Sequence, residues 1–163
     1  MDLDVPEHGK ILIACDIAKG ISHINHVGFV HRDLAVRNVL VDSALQSKVA
    51  DFGMTRQVEE EESAYNSFKG GVVSVRWSAP EALEDSNFSQ FSDVWAFGMT
   101  IFEAWTNTEK PYTGWSNDQV WTRVLGSEDA EPHELYLNQK VAQRRCTSVC
   151  IDIGTCSRTA TSI

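Results

Sequence analysis

The sequence predicts a mainly α-helical domain with a buried central helix, a small β-hairpin and one long loop. Isoleucine and alanine recur through residues 9–29 at the spacing of one helix face, which predicts an amphipathic helix. Residues 91–105 are apolar on almost every side, which is typical of a helix buried in a core. Two β-branched runs, Val39–Val41 and Lys48–Ala50, lie on either side of a short turn and predict the hairpin.

The remaining elements follow in chain order. Residues 51–81 sustain no hydrophobic period and predict a long loop, a feature that is usually functional in a compact domain. Ser92 is the predicted N-cap of the central helix, because serine hydroxyls accept hydrogen bonds from helix-initial amides. One more short helix is predicted at Ser116–Leu125. We therefore expect a folded region over residues 1–125 and a divergent, poorly ordered tail over residues 126–163.

Composition narrows the class of protein. The net charge of −9 and the pI near 4.9 argue against a nucleic-acid partner, because phosphate binding needs a basic face. No apolar run approaches the length of a membrane span, so we expect no membrane contact from this segment. The spacing of the four cysteines matches neither a disulfide framework nor a zinc site, which predicts a reducing, intracellular location.

Four motifs occur in a fixed order: HRDLAVRN (His31–Asn38), DFG (Asp51–Gly53), a loop that contains Tyr65, and APE (Ala79–Glu81). Each motif is weak alone, because an isolated Arg-Asp pair or DFG triplet is most often a surface turn. Together, and in this register, they match the protein-kinase signature set.

Phosphoryl transfer gives each motif a chemical reason, because its catalysis is mostly positioning and charge stabilisation. An acidic base must face the incoming hydroxyl, which assigns Asp33. Hard oxygen ligands must hold Mg²⁺ against the phosphates, which assigns Asn38 and Asp51. The hairpin between these two ligands would bring them together.

From about residue 9 to about residue 125 the chain resembles the C-terminal lobe of protein kinases, and specifically of protein tyrosine kinases. The catalytic loop HRDLAVRN is similar to the HRDLAARN form common among tyrosine kinases. VRW (Val75–Trp77) resembles their substrate platform, and SDVWAFG (Ser92–Gly98) followed by KPY (Lys110–Tyr112) resembles their central helix and its exit. The resemblance implies transfer of the γ-phosphate of ATP to protein tyrosines, with ATP and Mg²⁺ as cofactors and tyrosine-containing proteins as substrates.

The resemblance also implies roles for single residues at the catalytic centre. Asp33 would orient and deprotonate the acceptor hydroxyl, and Arg37 would steady the γ-phosphate. Asn38 and Asp51 would bind Mg²⁺ and through it the nucleotide, and Leu40 would form part of the floor under adenine.

Further roles are regulatory or structural. Tyr65 would be the autophosphorylation site of the activation loop, with Arg32 and Arg56 binding its phosphate. The resemblance implies structural roles for three more residues. His31 would be a packed histidine, Glu81 is the glutamate of APE, and Asp93 would hold the catalytic loop by hydrogen bonds to its backbone.

The sequence also departs from the family. It contains no Gly-rich loop, no strand lysine and no helix glutamate, so we expect a truncated kinase domain with negligible activity by itself. Ser74 stands where tyrosine kinases usually have proline, which predicts a looser substrate platform. The arginine that normally pairs with Glu81 is not recognisable beyond residue 125. A catalytically silent fragment that acts as a binding or docking module is the alternative function, and the sequence leaves open whether a parent protein is a receptor or a cytosolic kinase.

Overall fold

The computed structural model describes residues 5–58, 74–106 and 110–126. Its elements in chain order are α1 (Glu7–His26), β1 (Phe29–Val30), a 3₁₀ helix (Val36–Asn38), β2 (Val39–Val41), β3 (Ser47–Val49), β4 (Arg56–Gln57), a second 3₁₀ helix (Val75–Trp77), α2 (Pro80–Glu84), α3 (Gln90–Trp105) and α4 (Asn117–Val124). The predicted fold class, a mainly α C-terminal kinase lobe with a central helix and a small hairpin, is confirmed.

The first helix begins and ends slightly earlier than predicted. α1 buries Cys15, Ile17 and Ile21 along one face, as the period of the sequence indicates. It ends at His26 because Gly28 adopts a positive φ of 85°, a conformation that terminates helices and favours glycine. Residues 28–29 therefore leave the helix instead of extending it.

Two antiparallel strand pairs include the strands on either side of the HRDLAVRN segment, His31–Asn38. In the predicted hairpin, β2 pairs with β3 through Val39 opposite Val49, and Asp42 closes the turn by accepting hydrogen bonds from two backbone amides. The second pair joins β1 to β4, with Phe29 opposite Gln57. This pair corrects the prediction that residues 51–81 form one long loop, since β4 and the second 3₁₀ helix lie within that range.

The N-cap of the central helix α3 lies three residues before the one that the sequence suggested. Its N-cap is Ser89, whose hydroxyl accepts a hydrogen bond from the backbone of Phe91. Ser92, the predicted N-cap, is instead the third helical residue, and its hydroxyl accepts from the Ser89 amide at 3.0 Å. The two serines form a reciprocal capping box, so the prediction chose the wrong member of the pair.

Burial of α3 is confined to its middle. Phe97, Met99 and Thr100 are buried, but Phe91 is 71% exposed and Trp105 is also exposed. The apolar character of residues 91–105 thus predicts the buried centre correctly and overstates burial at both ends. In the described part of the chain, α3 supplies buried residues to two of the three apolar clusters, and its Trp95 packs against the third.

The core clusters explain how the catalytic segment is anchored. One cluster packs α1 against α3 and includes Leu34, from the catalytic loop, which is fully buried. The second lies between α3 and α4 and includes Met99 of α3 and Val120 of α4. Because the catalytic loop supplies a core residue, its backbone is held by the packing of α1 against α3.

Within the described residues, no helix has both the length and the apolar character needed to cross a bilayer. Tyr65 and the acidic run at 59–62 lie outside the described residues, as does the predicted tail from residue 127 onward.

Candidate active site

The catalytic loop is attached to the N-terminal turn of α3 by a buried carboxylate. Asp93, which is 1% exposed, accepts hydrogen bonds from the backbone amides of His31 at 2.9 Å and Arg32 at 3.1 Å, and from the side chain of Asn25. Arg32 has a positive φ of 70°, which is unfavourable for a residue with a Cβ. The two bonds from adjacent amides hold the backbone in this turn and so set the direction of the residues that follow.

His31 links the catalytic loop to the DFG segment. Its ring is fully buried, with Nε2 3.2 Å from the carbonyl oxygen of Ala50 and Nδ1 accepting from the amide of Asp33 at 3.3 Å. Since Nδ1 accepts, the proton of the neutral ring belongs on Nε2, which then donates to Ala50. The ring also lies 5.5 Å from that of Phe52. His31 thus spans two backbone segments.

The carboxylate of Asp33 is held from three directions. Its Oδ1 accepts hydrogen bonds from the guanidinium of Arg37 and, at 2.7 Å, from the hydroxyl of Ser74. Its Oδ2 accepts from the side-chain amide of Asn38 at 3.0 Å. An acid that is half-buried and fixed by several donors has a defined orientation, which a general base requires.

Arg37 connects this carboxylate to the VRW segment. Its guanidinium donates to Asp33 and, at 2.8 Å, to the Ser74 hydroxyl, while Cζ lies 4.9 Å from the centre of the Trp77 ring. The planar guanidinium of Arg37 thus stacks on the Trp77 ring with its face and pairs with the Asp33 carboxylate through its edge. Ser74 therefore ties the segment to the catalytic loop, whereas its replacement of the family's proline predicted a looser platform.

Glu103 is a site residue that the sequence analysis missed. It is buried on α3, and its Oε2 accepts from the amide of Val36 at 3.2 Å and from the indole of Trp77 at 3.0 Å. One carboxylate therefore joins the catalytic loop to the VRW segment. The signal available in the sequence was an acid near the end of an otherwise apolar helix, because buried charges need specific partners.

Arg76 holds the same segment from its other side. Its guanidinium donates to the carbonyl oxygens of Pro111 and Tyr112, each at 2.8 Å, and to that of Trp115. The KPY stretch predicted as the exit of the central helix thus serves as an acceptor for the platform arginine. Charge-assisted bonds to three carbonyls fix the position of Val75–Trp77 relative to α4.

The two predicted metal ligands approach each other at one end of the hairpin. The amide of Ala50 donates to the carbonyl oxygen of Asn38 at 2.8 Å, which places Asp51 directly beyond that contact. Asn38 is buried and uses its side-chain nitrogen on Asp33, so its side-chain oxygen remains as an acceptor. Asp51 is exposed, with a φ of 59°, and its Oδ1 accepts from the amide of Gly53 at 3.2 Å.

An amide oxygen and a carboxylate in this arrangement fit Mg²⁺. This ion prefers oxygen ligands and keeps several waters, so it is usually bound through one or two carboxylates together with phosphate oxygens. Residues 5–58, 74–106 and 110–126 contain no cluster of three or more His, Cys, Asp or Glu side chains arranged for a metal, so an all-protein cage is not a competing site there.

The other predicted site residues make contacts of their own outside the group formed by Asp33, Asn38 and Asp51. Leu40, the residue predicted under adenine, is 64% exposed on β2. Arg32 stacks on the ring of Phe88 with its Cζ 5.0 Å from the centroid, and Arg56 donates to the backbone of its own turn at Gly53 and Thr55. Glu81 is half-buried in the first turn of α2. Tyr65, their proposed regulatory partner, lies outside the described residues.

A family model described as protein tyrosine and serine/threonine kinase matches residues 3–157. The chain is 46% identical over 115 residues to the insulin-like growth factor 1 receptor of Xenopus laevis, covering 71% of this chain and 8% of the receptor. The insulin receptor of the same species is 44% identical over 115 residues, with the same coverage of both chains. The ephrin type-A receptor 7 of Gallus gallus is 44% identical over 104 residues, covering 64% of this chain and 10% of that receptor.

This chain thus spans about a tenth of the length of these three relatives. The family match extends past residue 125, into the segment where the sequence showed no recognisable family pattern. The motifs, the packed catalytic loop and the match over most of the chain agree with one another. The chain belongs to the protein tyrosine and serine/threonine kinase family, in which it corresponds to the C-terminal lobe of a tyrosine kinase catalytic domain.

Proposed function

We propose that this chain is the catalytic lobe of a protein tyrosine kinase, which transfers the γ-phosphate of ATP to the hydroxyl of protein tyrosines. The observation that carries the proposal is the Asp33 carboxylate, which Arg37, Ser74 and Asn38 hold in one orientation, Asn38 being also one of the two candidate metal ligands. A fixed acid beside a pair of candidate Mg²⁺ ligands is the arrangement that phosphoryl transfer requires.

In the proposed reaction the residues of this chain orient the acceptor and receive its proton. The tyrosine hydroxyl donates to Asp33, and its oxygen forms a bond to the γ-phosphorus as the bond from phosphorus to the bridging oxygen of ADP breaks. The phenolic proton passes to Asp33, which later releases it to solvent. Mg²⁺, held by Asn38 and Asp51, would neutralise charge on the phosphate oxygens. Arg37 would steady the γ-phosphate, and Leu40 would lie under adenine.

The regulatory assignment belongs to the same proposal. A phosphate on Tyr65 would carry about −1.5 to −2 charges at neutral pH and could accept charge-assisted bonds from an arginine pair. Arg32 and Arg56 are the proposed partners, and Arg32 already lies beside the catalytic base in the chain. His31, Glu81 and Asp93 have structural roles in this proposal. The proposed location is intracellular, and the proposed partners are ATP and tyrosine-containing proteins, without nucleic acid or membrane contact from this segment.

The test joins a tyrosine-kinase N-terminal lobe upstream of Gly9, which gives a joined protein with a complete nucleotide site. We expect Mg²⁺-dependent phosphorylation of a synthetic tyrosine peptide that is lost in Asp33→Asn and in Asp51→Ala, and negligible activity from the 163-residue chain alone. Asp118→Asn, an exposed acid on α4, is the matched control and should retain activity. Nucleotide binding without turnover, unchanged by Asp33→Asn, would favour the docking module instead.

A further inference from the structure

Ser74 makes two hydrogen bonds that no pattern in the sequence indicates. Its Oγ lies 2.7 Å from Oδ1 of Asp33 and 2.8 Å from the terminal guanidinium nitrogen of Arg37. The same nitrogen of Arg37 also contacts Oδ1 of Asp33. The three side chains therefore form a closed triangle around one carboxylate oxygen.

The direction of these bonds follows from the chemistry of the groups. A guanidinium has donors and no acceptor, and an ionised carboxylate has acceptors and no donor. The Ser74 hydroxyl must therefore accept from Arg37 and donate its single proton to Asp33. No alternative orientation of the hydroxyl satisfies both contacts.

The triangle distinguishes the two oxygens of the carboxylate. Oδ1 of Asp33 receives two donors, from Arg37 and Ser74, which matches its two lone pairs. Oδ2 receives one, from the side chain of Asn38. An incoming hydroxyl therefore finds acceptor capacity on Oδ2 and not on Oδ1.

We propose that Ser74 is a positioning residue that occupies Oδ1 of Asp33 and so directs the acceptor hydroxyl, and its proton, to Oδ2. The inference rests on the proposed kinase function and deepens it. Ser74 keeps its own proton throughout. It acts by fixing the rotation of the carboxylate, with Asn38 as the partner that fixes the other oxygen.

The Ser74 hydroxyl is not needed to hold the turn in which the residue lies. The backbone carbonyl of Ser74 accepts from the amide of Trp77 at 2.9 Å and from the hydroxyl of Ser78 at 3.1 Å. These bonds hold the turn before VRW independently of Oγ. Replacing Ser74 with alanine should therefore leave the turn in place and remove only the contacts to Asp33 and Arg37.

The first experiment measures steady-state kinetics in the joined protein defined above. Ser74→Ala should lower kcat about tenfold, the effect of one hydrogen bond to a charged group, while KM for ATP and for peptide changes less than about twofold. Ser74→Thr retains a hydroxyl and should restore most of kcat. Ser47→Ala is the matched control. It removes a hydroxyl on β3 that donates to the carbonyl oxygen of Ile13 on α1, and it should leave kcat unchanged. A Ser74→Ala protein with unchanged kcat, or a loss confined to KM, overturns the proposal.

The second experiment needs no activity and uses the 163-residue chain. Urea midpoints are compared for Ser74→Ala, Asp33→Ala and the double variant, with Ser47→Ala combined with Asp33→Ala as the control pair. The shifts should be non-additive for Ser74 with Asp33 and additive for Ser47 with Asp33. Additive shifts for Ser74 with Asp33 overturn the bond itself. An inactive joined protein together with non-additive shifts would instead reject the kinase function and retain the contact.

Discussion

Oδ2 of Asp93 lies 2.9 Å from the backbone nitrogen of His31, across 62 residues of sequence. This bond and its neighbour at the Arg32 amide attach the start of the catalytic loop to the central helix α3. The position of Asp33, the proposed catalytic base, therefore depends on the Asp93 carboxylate, which has no proposed contact with a substrate.

Asp93→Ala should destabilise the chain by about 3 kcal/mol, because it removes the acceptor of the buried His31 amide and of the partly buried donors at Arg32 and Asn25. Urea unfolding followed by tryptophan fluorescence measures the change. Asp118→Ala, an exposed acid in the first turn of α4, should cost less than about 0.5 kcal/mol. Equal effects of the two variants would contradict the anchoring role.

Glu103→Ala should cost about 2–3 kcal/mol, because the amide of Val36 and the indole of Trp77 would both lose their acceptor. Glu103→Gln retains a carbonyl oxygen and should cost about 1 kcal/mol. Thermal unfolding measures both variants. In the joined protein, Glu103→Ala should also lower kcat, since it separates the catalytic loop from the VRW segment. A glutamine variant as damaging as alanine would indicate that the charge, and not the acceptor, matters.

The cap of α3 distinguishes two serines. Ser89→Asp should be neutral within about 0.5 kcal/mol, because aspartate is as good an N-cap as serine. Ser92→Asp should cost about 2 kcal/mol, because it would place a second buried carboxylate beside Asp93. Calorimetric Tm values decide between them. The reverse order of stability would make Ser92 the cap, as the sequence suggested.

Gly20 marks a close approach of α1 to β3. A Cβ at this position would lie 3.1 Å from Cγ2 of Val49. Gly20→Ala needs only a small shift and gains helix propensity, so its net effect should stay within about 1 kcal/mol. Gly20→Leu should cost about 2 kcal/mol by forcing the helix away from the strand. A leucine variant of wild-type Tm would show that this interface yields easily.

Tyr65→Phe tests the proposed activation switch. In the joined protein, incubation with ATP should raise activity of the parent sequence and leave Tyr65→Phe at its starting rate, because no phosphate can form on the loop. Arg32→Ala should lose the same increase. Phosphopeptide mass spectrometry identifies the modified residue. Full activation of both variants would remove Tyr65 from the regulatory proposal.

The sequence by itself determined the features that depend on the spacing of a few neighbouring residues. The helix period in α1, the hairpin at Val39–Val49 and the order of HRDLAVRN, DFG and APE each depend on local spacing, and all were recognisable without coordinates. The family followed from the same motifs. Two-residue strands such as β1 and β4 carry no readable alternation, so their pairing was missed.

Only the tertiary structure decided which distant side chains form hydrogen bonds with each other. Ser74 and Asp33 are 41 residues apart, and Glu103 and Trp77 are 26 residues apart, yet each pair shares a hydrogen bond. Such contacts arise from the way α3 packs against the catalytic loop and the VRW segment, and no local spacing encodes that packing. A serine in a loop and a glutamate in an apolar helix have many possible partners in a sequence, and the packed core selects two for each side chain.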